Sequence, residues 1–136
     1  MEIHLQLGYL GKTKFIVAIK SLAILANSKE LVTSITLTEK LGIESSFIRK
    51  VLAKLMQEQI VEGFGGRYGG YRLLKNPEET TLNDIYVALA KDAHTDEEPS
   101  KIDNIDKIIL SIVSESQNGF EKILTRYTIS DLAKVF

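Results

Sequence analysis

A single glycine, Gly42, divides two stretches of helical apolar spacing, and a glycine-rich block, G-F-G-G-R-Y-G-G, follows at residues 63–70. Helix, tight turn, helix and hairpin in that order constrain this chain more than any other feature. The stretch after Gly42 predicts a helix over Ser45–Gln59. Phe47, Ile48, Val51, Leu52, Leu55 and Met56 recur at spacings of three and four, which places them on one face. Ser45 or Ser46 is the candidate cap. The preceding helix ends at Leu41 and starts from a cap at Thr33 or Ser34. Thr36 with Glu39 three residues on is an alternative capping box, and the earlier start is preferred. Gly42 tolerates the positive φ that a tight turn requires. Thr38, somewhat large for the post, sits where the two helices cross. Leu37, Leu41, Ile43, Ile48 and Val51 face inward on both.

Ile60-Val61-Glu62 and Tyr71-Arg72-Leu73-Leu74 read as two short strands joined by the glycine-rich tip. A glycine-rich loop also suits a nucleotide phosphate. The dinucleotide fingerprint fails here, because Gly63-x-Gly65 would need glycine where Tyr68 stands, and the loop leads into a strand. The block therefore reads as a wing, a hairpin beside a helix-turn-helix.

At 136 residues the chain is one domain, or one small domain with an appendage. Lys14–Ala26 is apolar nearly all round and predicts a deeply buried helix. Asn76-Pro77 ends the hairpin. Thr80 or Thr81 caps a helix over Leu82–Ala90, with Leu82, Ile85, Val87, Ala88 and Leu89 facing inward. Residues 91–101 are polar and read as a loop. A long helix of about 24 residues, roughly 36 Å, runs from Asp103 to Arg126. Ile105, Ile109 and Ile112 continue a stripe from Ile102, and Ile108 and Val113 widen it beyond what one small domain needs. The tail starts extended, and Ser130 can cap a last turn. The predicted fold is mainly α with a small β-hairpin wing. A winged helix-turn-helix domain at residues 1–90 precedes an acidic loop, a long helix and a tail at 91–136.

The net charge of −1 hides an asymmetry. Residues 1–75 hold 11 Lys and Arg against 6 Asp and Glu, and residues 76–136 hold 6 against 12. A basic half beside an acidic half suits a nucleic-acid binder that keeps its acidic part off the DNA. The chain has no cysteine, which removes disulfides, thiolate nucleophiles and cysteine-held clusters. No apolar run approaches membrane-spanning length, and the start lacks the pattern of a secretory signal. A cytoplasmic protein is the expectation. No catalytic constellation emerges: His4 and His94 stand apart, with no triad or ligand pair around them.

The outward face of the second helix of the pair is expected to hold Ser46, Arg49, Lys50 and Lys54, beside Ser45 at its start. Such a helix fits the DNA major groove. Arg49 would reach a guanine edge or a phosphate, and Lys50 and Lys54 would hold phosphates. A solvated helix face is the competing reading. At the wing tip, Gly66 lets the backbone approach the sugar–phosphate edge, Arg67 suits the narrow minor groove, and Tyr68 packs on the backbone or folds over the wing. Lys12 and Lys14, at the start of the first helix, would reinforce phosphate binding there, or are ordinary surface lysines.

The run L-G-I-E-S-S-F-I-R-K-V-L-A-K-L, then G-G-R-Y-G-G-Y-R-L, then N-P-E-E-T-T-L-N-D-I-Y-V-A-L, resembles the Rrf-two (Rrf2) family of bacterial winged-helix regulators. The likeness covers residues 12 to about 90 and extends more loosely to T-I-S-D-L at 128–132. Its most specific piece is Gly69 to Leu73. The resemblance implies a DNA-binding transcriptional regulator, most often a repressor, whose long helix packs against its twin through Ile105, Ile108, Ile109, Ile112 and Val113. The homodimer would sit on a palindromic operator. Phe47 replaces the family's tyrosine, Arg49-Lys50 replaces a frequent Glu-Gln, and Gly65 replaces a wing arginine, so operator sequence does not carry over. Sensing relatives hold an iron–sulfur cluster through cysteines before the long helix. This chain offers His94, Asp96, Glu97 and Glu98 there, so no cofactor and no metal is expected. The signal, a small molecule, another protein or none, stays open, as does a winged-helix module that binds protein instead of DNA.

Overall fold

The computed structural model describes residues 12–91 and 103–135. The sequence readings of Met1–Gly11 and of His94, Asp96, Glu97 and Glu98 lie outside those residues. Helix α1 spans Lys12–Ala26, α2 Ser34–Leu41 and α3 Ser45–Gln57. Strands β1, Val61–Phe64, and β2, Gly70–Leu73, pair antiparallel, with Val61 opposite Leu73 and Phe64 opposite Gly70. Helices α4, Leu82–Ala90, α5, Asn104–Leu124, and α6, Ile129–Ala133, complete the order. This is the winged helix-turn-helix with a helical majority that the sequence predicts.

Helix α1 is the central post. Val17, Ala18, Ile19, Leu22, Ala23, Ile24 and Leu25 are all buried, so most of its circumference is met by neighbours, and Thr13, Ile16 and Lys20 leave one exposed stripe. Leu37 of α2, Ile48, Leu52 and Leu55 of α3, Ile85 of α4 and Ile129 of α6 are fully buried around it. The tail is thus part of the same core. The Ile129 N–H donates to the Thr80 carbonyl at 2.9 Å, Leu82 N–H to Tyr127 at 2.9 Å, and Asn27 Nδ2 to Ala133 at 2.9 Å. The expected second unit, residues 91–136, is therefore split in packing: α6 returns to the body.

The turn works as its residues dictate. Thr33 caps α2, accepting from the Thr36 N–H, and Gly42 ends it at φ 66° with its N–H on the Thr38 carbonyl at 2.9 Å. Three details differ from the sequence reading. Glu44, not Ser45 or Ser46, is the N-cap of α3, and it makes no side-chain cap bond. Helix α3 stops two residues early, because Gln59 takes φ 59°. The Ile60 N–H then reaches Leu55 at 2.9 Å and Gln59 reaches Met56 at 3.0 Å, a Schellman ending in a position that favours glycine. Thr128, not Ser130, caps α6, in a capping box with Asp131. Thr81 with Asp84 and Asp103 with Asp106 build the same box at α4 and α5.

Candidate nucleic-acid interface

Helix α3 buries Ile48, Val51, Leu52 and Leu55 and turns its opposite side outward. Ser46, Arg49 and Lys50 are exposed there, and Ala53 and Gln57 continue the face by one and two turns. Ser45 is half-buried. The Ser46 hydroxyl donates to Glu44 Oε1 at 2.7 Å, which draws that carboxylate to the helix start. Lys54 departs from the expected face. It is buried, at 9% exposure, and its ammonium lies 3.8 Å from Glu58 Oε2 one turn on. Lys91, at the end of α4, closes on the same carboxylate at 3.1 Å. One turn beyond Lys50 the helix surface has already rotated toward the body, so Lys54 joins an internal ion pair and does not extend the basic face.

The wing stands on three strands' worth of backbone. Tyr71 exchanges hydrogen bonds with Val32, at 2.8 and 3.0 Å, adding a one-residue bridge to the hairpin. Gly70 permits it: a Cβ there would lie 2.9 Å from Leu31 Cβ and 3.1 Å from the Val32 carbonyl. Gly69 closes the tip, where a Cβ would run into the carbonyl oxygen of Phe64. Gly63 rests on α3, where its Cβ would meet Met56 Sδ at 2.6 Å. The wing base and α3 are therefore packed together. At the tip, Gly66 has φ 86° and is exposed, as is Arg67. The Arg67 guanidinium sits 5.7 Å from the centre of the Tyr68 ring, which is 85% exposed. Tyr68 therefore folds over neither β strand and projects with its arginine.

Arg72 and Phe64 escaped the sequence reading. Arg72 lies 5.2 Å over the Phe64 ring and pairs with Glu62 at 2.6 Å. Alternation along β1 and β2 puts Glu62 opposite Arg72, so cross-strand register is the signal that finds this pair. Ile35, 67% exposed on α2, also went unremarked. Lys14 is half-buried at the start of α1, and only the backbone of Lys12 is described.

Helix α5 presents the other surface. No residue of α5 is buried. Ile105, Ile108, Ile109, Ile112 and Val113 are each at least half exposed. Only its C-terminal part meets the body: Phe120 stacks edge-on against Tyr86 at 5.1 Å, and Tyr86 against Phe15 of α1 at 6.2 Å.

The family model described as an iron-dependent transcriptional regulator, Rrf2, matches residues 11–135. The chain belongs to the Rrf2 family. It is 30% identical over 115 residues to protein aau3 of Rhizobium meliloti, covering 80% of this chain and 74% of that one. Among solved structures, T. potens IscR superposes with a TM-score of 0.71 at 21% identity, covering 91% of this chain and 85% of that one. CymR, the global cysteine regulator of B. subtilis, gives 0.70 at 18% identity, covering 93% and 97%. Members of the Rrf2 family regulate transcription by binding DNA and are not enzymes, and this chain is a DNA-binding transcriptional regulator of that kind. No helix among the described residues is long and apolar enough to cross a membrane.

The iron named in the family description meets an unsuitable donor set here. The chain has no cysteine, so no thiolate is available to hold an iron–sulfur cluster. No group of three or more His, Asp or Glu among the described residues is placed to hold a metal.

Proposed function

We propose that this Rrf2-family chain is a homodimeric repressor that reads a palindromic operator. Two copies of α3 enter successive major grooves, and the two wings follow the adjacent minor grooves. Arg49 reads a base edge or grips a phosphate. Lys50 holds a phosphate, and Ser45 and Ser46 lie near the sugar–phosphate backbone at the helix start. Gly66 brings the wing backbone close, Arg67 enters the minor groove with Tyr68 beside it, and Lys12 and Lys14 meet phosphates at the start of α1. Lys54 has no part in this set. The repressor acts in the cytoplasm by covering promoter DNA. An effector, small molecule or protein, would act by changing the separation of the two recognition helices.

The observation that carries the dimer is the bare apolar side of α5. Ile105, Ile108, Ile109, Leu110, Ile112, Val113 and Ile123 are between 46% and 63% exposed. An exposed apolar stripe of this length on one helix marks an interaction surface. A two-fold pair of such helices would set the half-sites about one helical turn, or a small multiple, apart.

Selection from random duplexes at moderate salt tests the reading. The expected result is an enriched palindrome. Arg49→Ala then relaxes base preference, whereas Lys50→Ala weakens all sequences alike and lowers the salt slope by about one. A folded protein that enriches no sequence contradicts the proposal and assigns the winged face to a protein partner.

A further inference from the structure

We infer that the base of the wing holds a binding site for a small organic anion, a phosphate ester or a carboxylate, gripped by Lys29, Arg72 and Lys75. The site names the chemical class of an effector for the regulator proposed above. Its link to DNA rests on that reading, whereas its occupancy does not.

The end of α1, the turn before α2 and the end of β2 enclose an open cleft of about 580 Å³, within the ~300–1,000 Å³ usual for small-molecule sites. The floor is apolar. Leu25 is buried there, and Leu31, Leu73 and Pro77 are half-buried. Lys29, Arg72 and Lys75 stand exposed at the rim, and Glu30 is the acid among the described residues that line it. In a chain of net charge −1, three cations against one acid is a local excess of positive charge.

These cations have donors to spare. Neither lysine makes an ion pair with another described residue. Arg72 gives one guanidinium nitrogen to Glu62 at 2.6 Å, its partner across the strand pair. A guanidinium carries five N–H donors in a planar fork, so others remain for the cleft, and that fork suits two oxygens of a carboxylate or phosphate. The open carbonyls of a helix C-terminus also attract cations, and α1 ends here. Three of its last four carbonyls are already bonded. Asn27 N–H reaches those of Ala23 and Ile24, both at 3.2 Å, and Ser28 N–H reaches that of Leu25 at 3.1 Å.

The cleft stands apart from the surface given to DNA. Arg72 and Lys75 lie five and eight residues past Arg67 at the tip, and a strand advances about 3.4 Å per residue. Alternation along β2 turns Arg72 away from α3, because its neighbour Tyr71 shares the α3 side with Gly63. An anion held by Lys29 on one wall and by Arg72 and Lys75 on the other braces the one-residue bridge between Val32 and Tyr71. It thereby joins the turn that leads into α2 to the strand that carries the wing.

Calorimetric titration of the full chain at constant ionic strength tests the site, with phenyl phosphate and phenylacetate as probes. At least one is expected to bind, its ring on the apolar floor, and the tighter of the two assigns the head group. Lys29→Ala with Lys75→Ala is expected to weaken that probe at least about tenfold, and so is Arg72→Gln. Lys50→Ala on α3 should leave it unchanged. The second arm is DNA. At saturation the probe is expected to shift the affinity of the wild-type chain for its selected duplex by about fivefold or more, and to leave the Lys29→Ala, Lys75→Ala chain unaffected. Binding of neither probe, binding equal in the wild type and the lysine variant, or binding lost in Lys50→Ala overturns the site. Binding with no change in DNA affinity overturns the regulatory link alone. A chain that binds no duplex contradicts the DNA reading, and the titration still decides the cleft.

Discussion

Helices α1 and α5 are both rich in isoleucine and leucine, yet they end in opposite environments. Every apolar residue of α1 from Val17 to Leu25 is buried, whereas α5 buries none. The difference lies in what surrounds each. Helix α1 is apolar around most of its circumference and is met by α2, α3, α4 and α6. Helix α5 is apolar along one side, and among the described residues it meets the core at its C-terminal end, through Phe120 and Leu124. Hydrophobic burial carries no label for which chain supplies the cover. In the proposed dimer the unmet stripe of α5 is covered by a second copy, whereas α1 is covered by its own chain.

The contrast breaks first at α5. In the proposed dimer Ile109→Asp with Ile112→Asp places four charges on the paired apolar faces of α5, and the dimer dissociation constant is expected to rise at least about a thousandfold. Thermal unfolding of the body, followed by circular dichroism, should stay nearly unchanged, since neither side chain touches the core. Leu22→Ala reverses the pattern. It removes a fully buried side chain from α1 and is expected to cost about 2–5 kcal/mol of unfolding free energy in denaturant titration. Dimer affinity of the protein that remains folded should be conserved.

Two backbone positions sharpen the account of the body. Gly42→Ala forces a Cβ into φ 66° and is expected to cost about 1 kcal/mol. Gln59→Gly relieves the same conformation at the end of α3 and is expected to gain about 0.5–1 kcal/mol. Both are read by the midpoint of urea unfolding.

The smallest effect is a pH dependence at the head of α5. The Asp106 backbone N–H, and then its side chain, hold the Asp103 carboxyl below its ordinary value. Its folded-state pKa lies below the unfolded one, so the cap supports α5 above the usual carboxylate range. That support fades as pH falls through the depressed value. Acidification should therefore lower helical ellipticity slightly in the wild type, and by less in Asp103→Asn.

The sequence revealed these elements unevenly, and the reasons are physical. Apolar spacing located α1 to α5, because burial on one side of a helix imposes a period. Gly42 located the turn, because few other residues adopt its φ. The caps were less legible: Thr81 and Asp103 lead complete boxes, but Ser45 and Ser130 are competent caps that tertiary packing did not use. Lys54 was misplaced because the edge of a helix face is ambiguous from spacing alone, and a lysine there is equally suited to solvent or to Glu58. The sequence assigns Gly66 freedom to approach DNA. For Gly69 and Gly70 their nearest constraint is the chain itself, the carbonyl of Phe64 and the bridge to Val32. Such long-range contacts leave no local periodicity to read.

The most direct test of the central claim is the mass of the complex on the selected duplex, measured by native mass spectrometry. The account predicts two chains per palindrome, and loss of tight binding when Ile109 and Ile112 are both changed to Asp. One chain per duplex, or two chains bound with unaltered affinity after those changes, would contradict it.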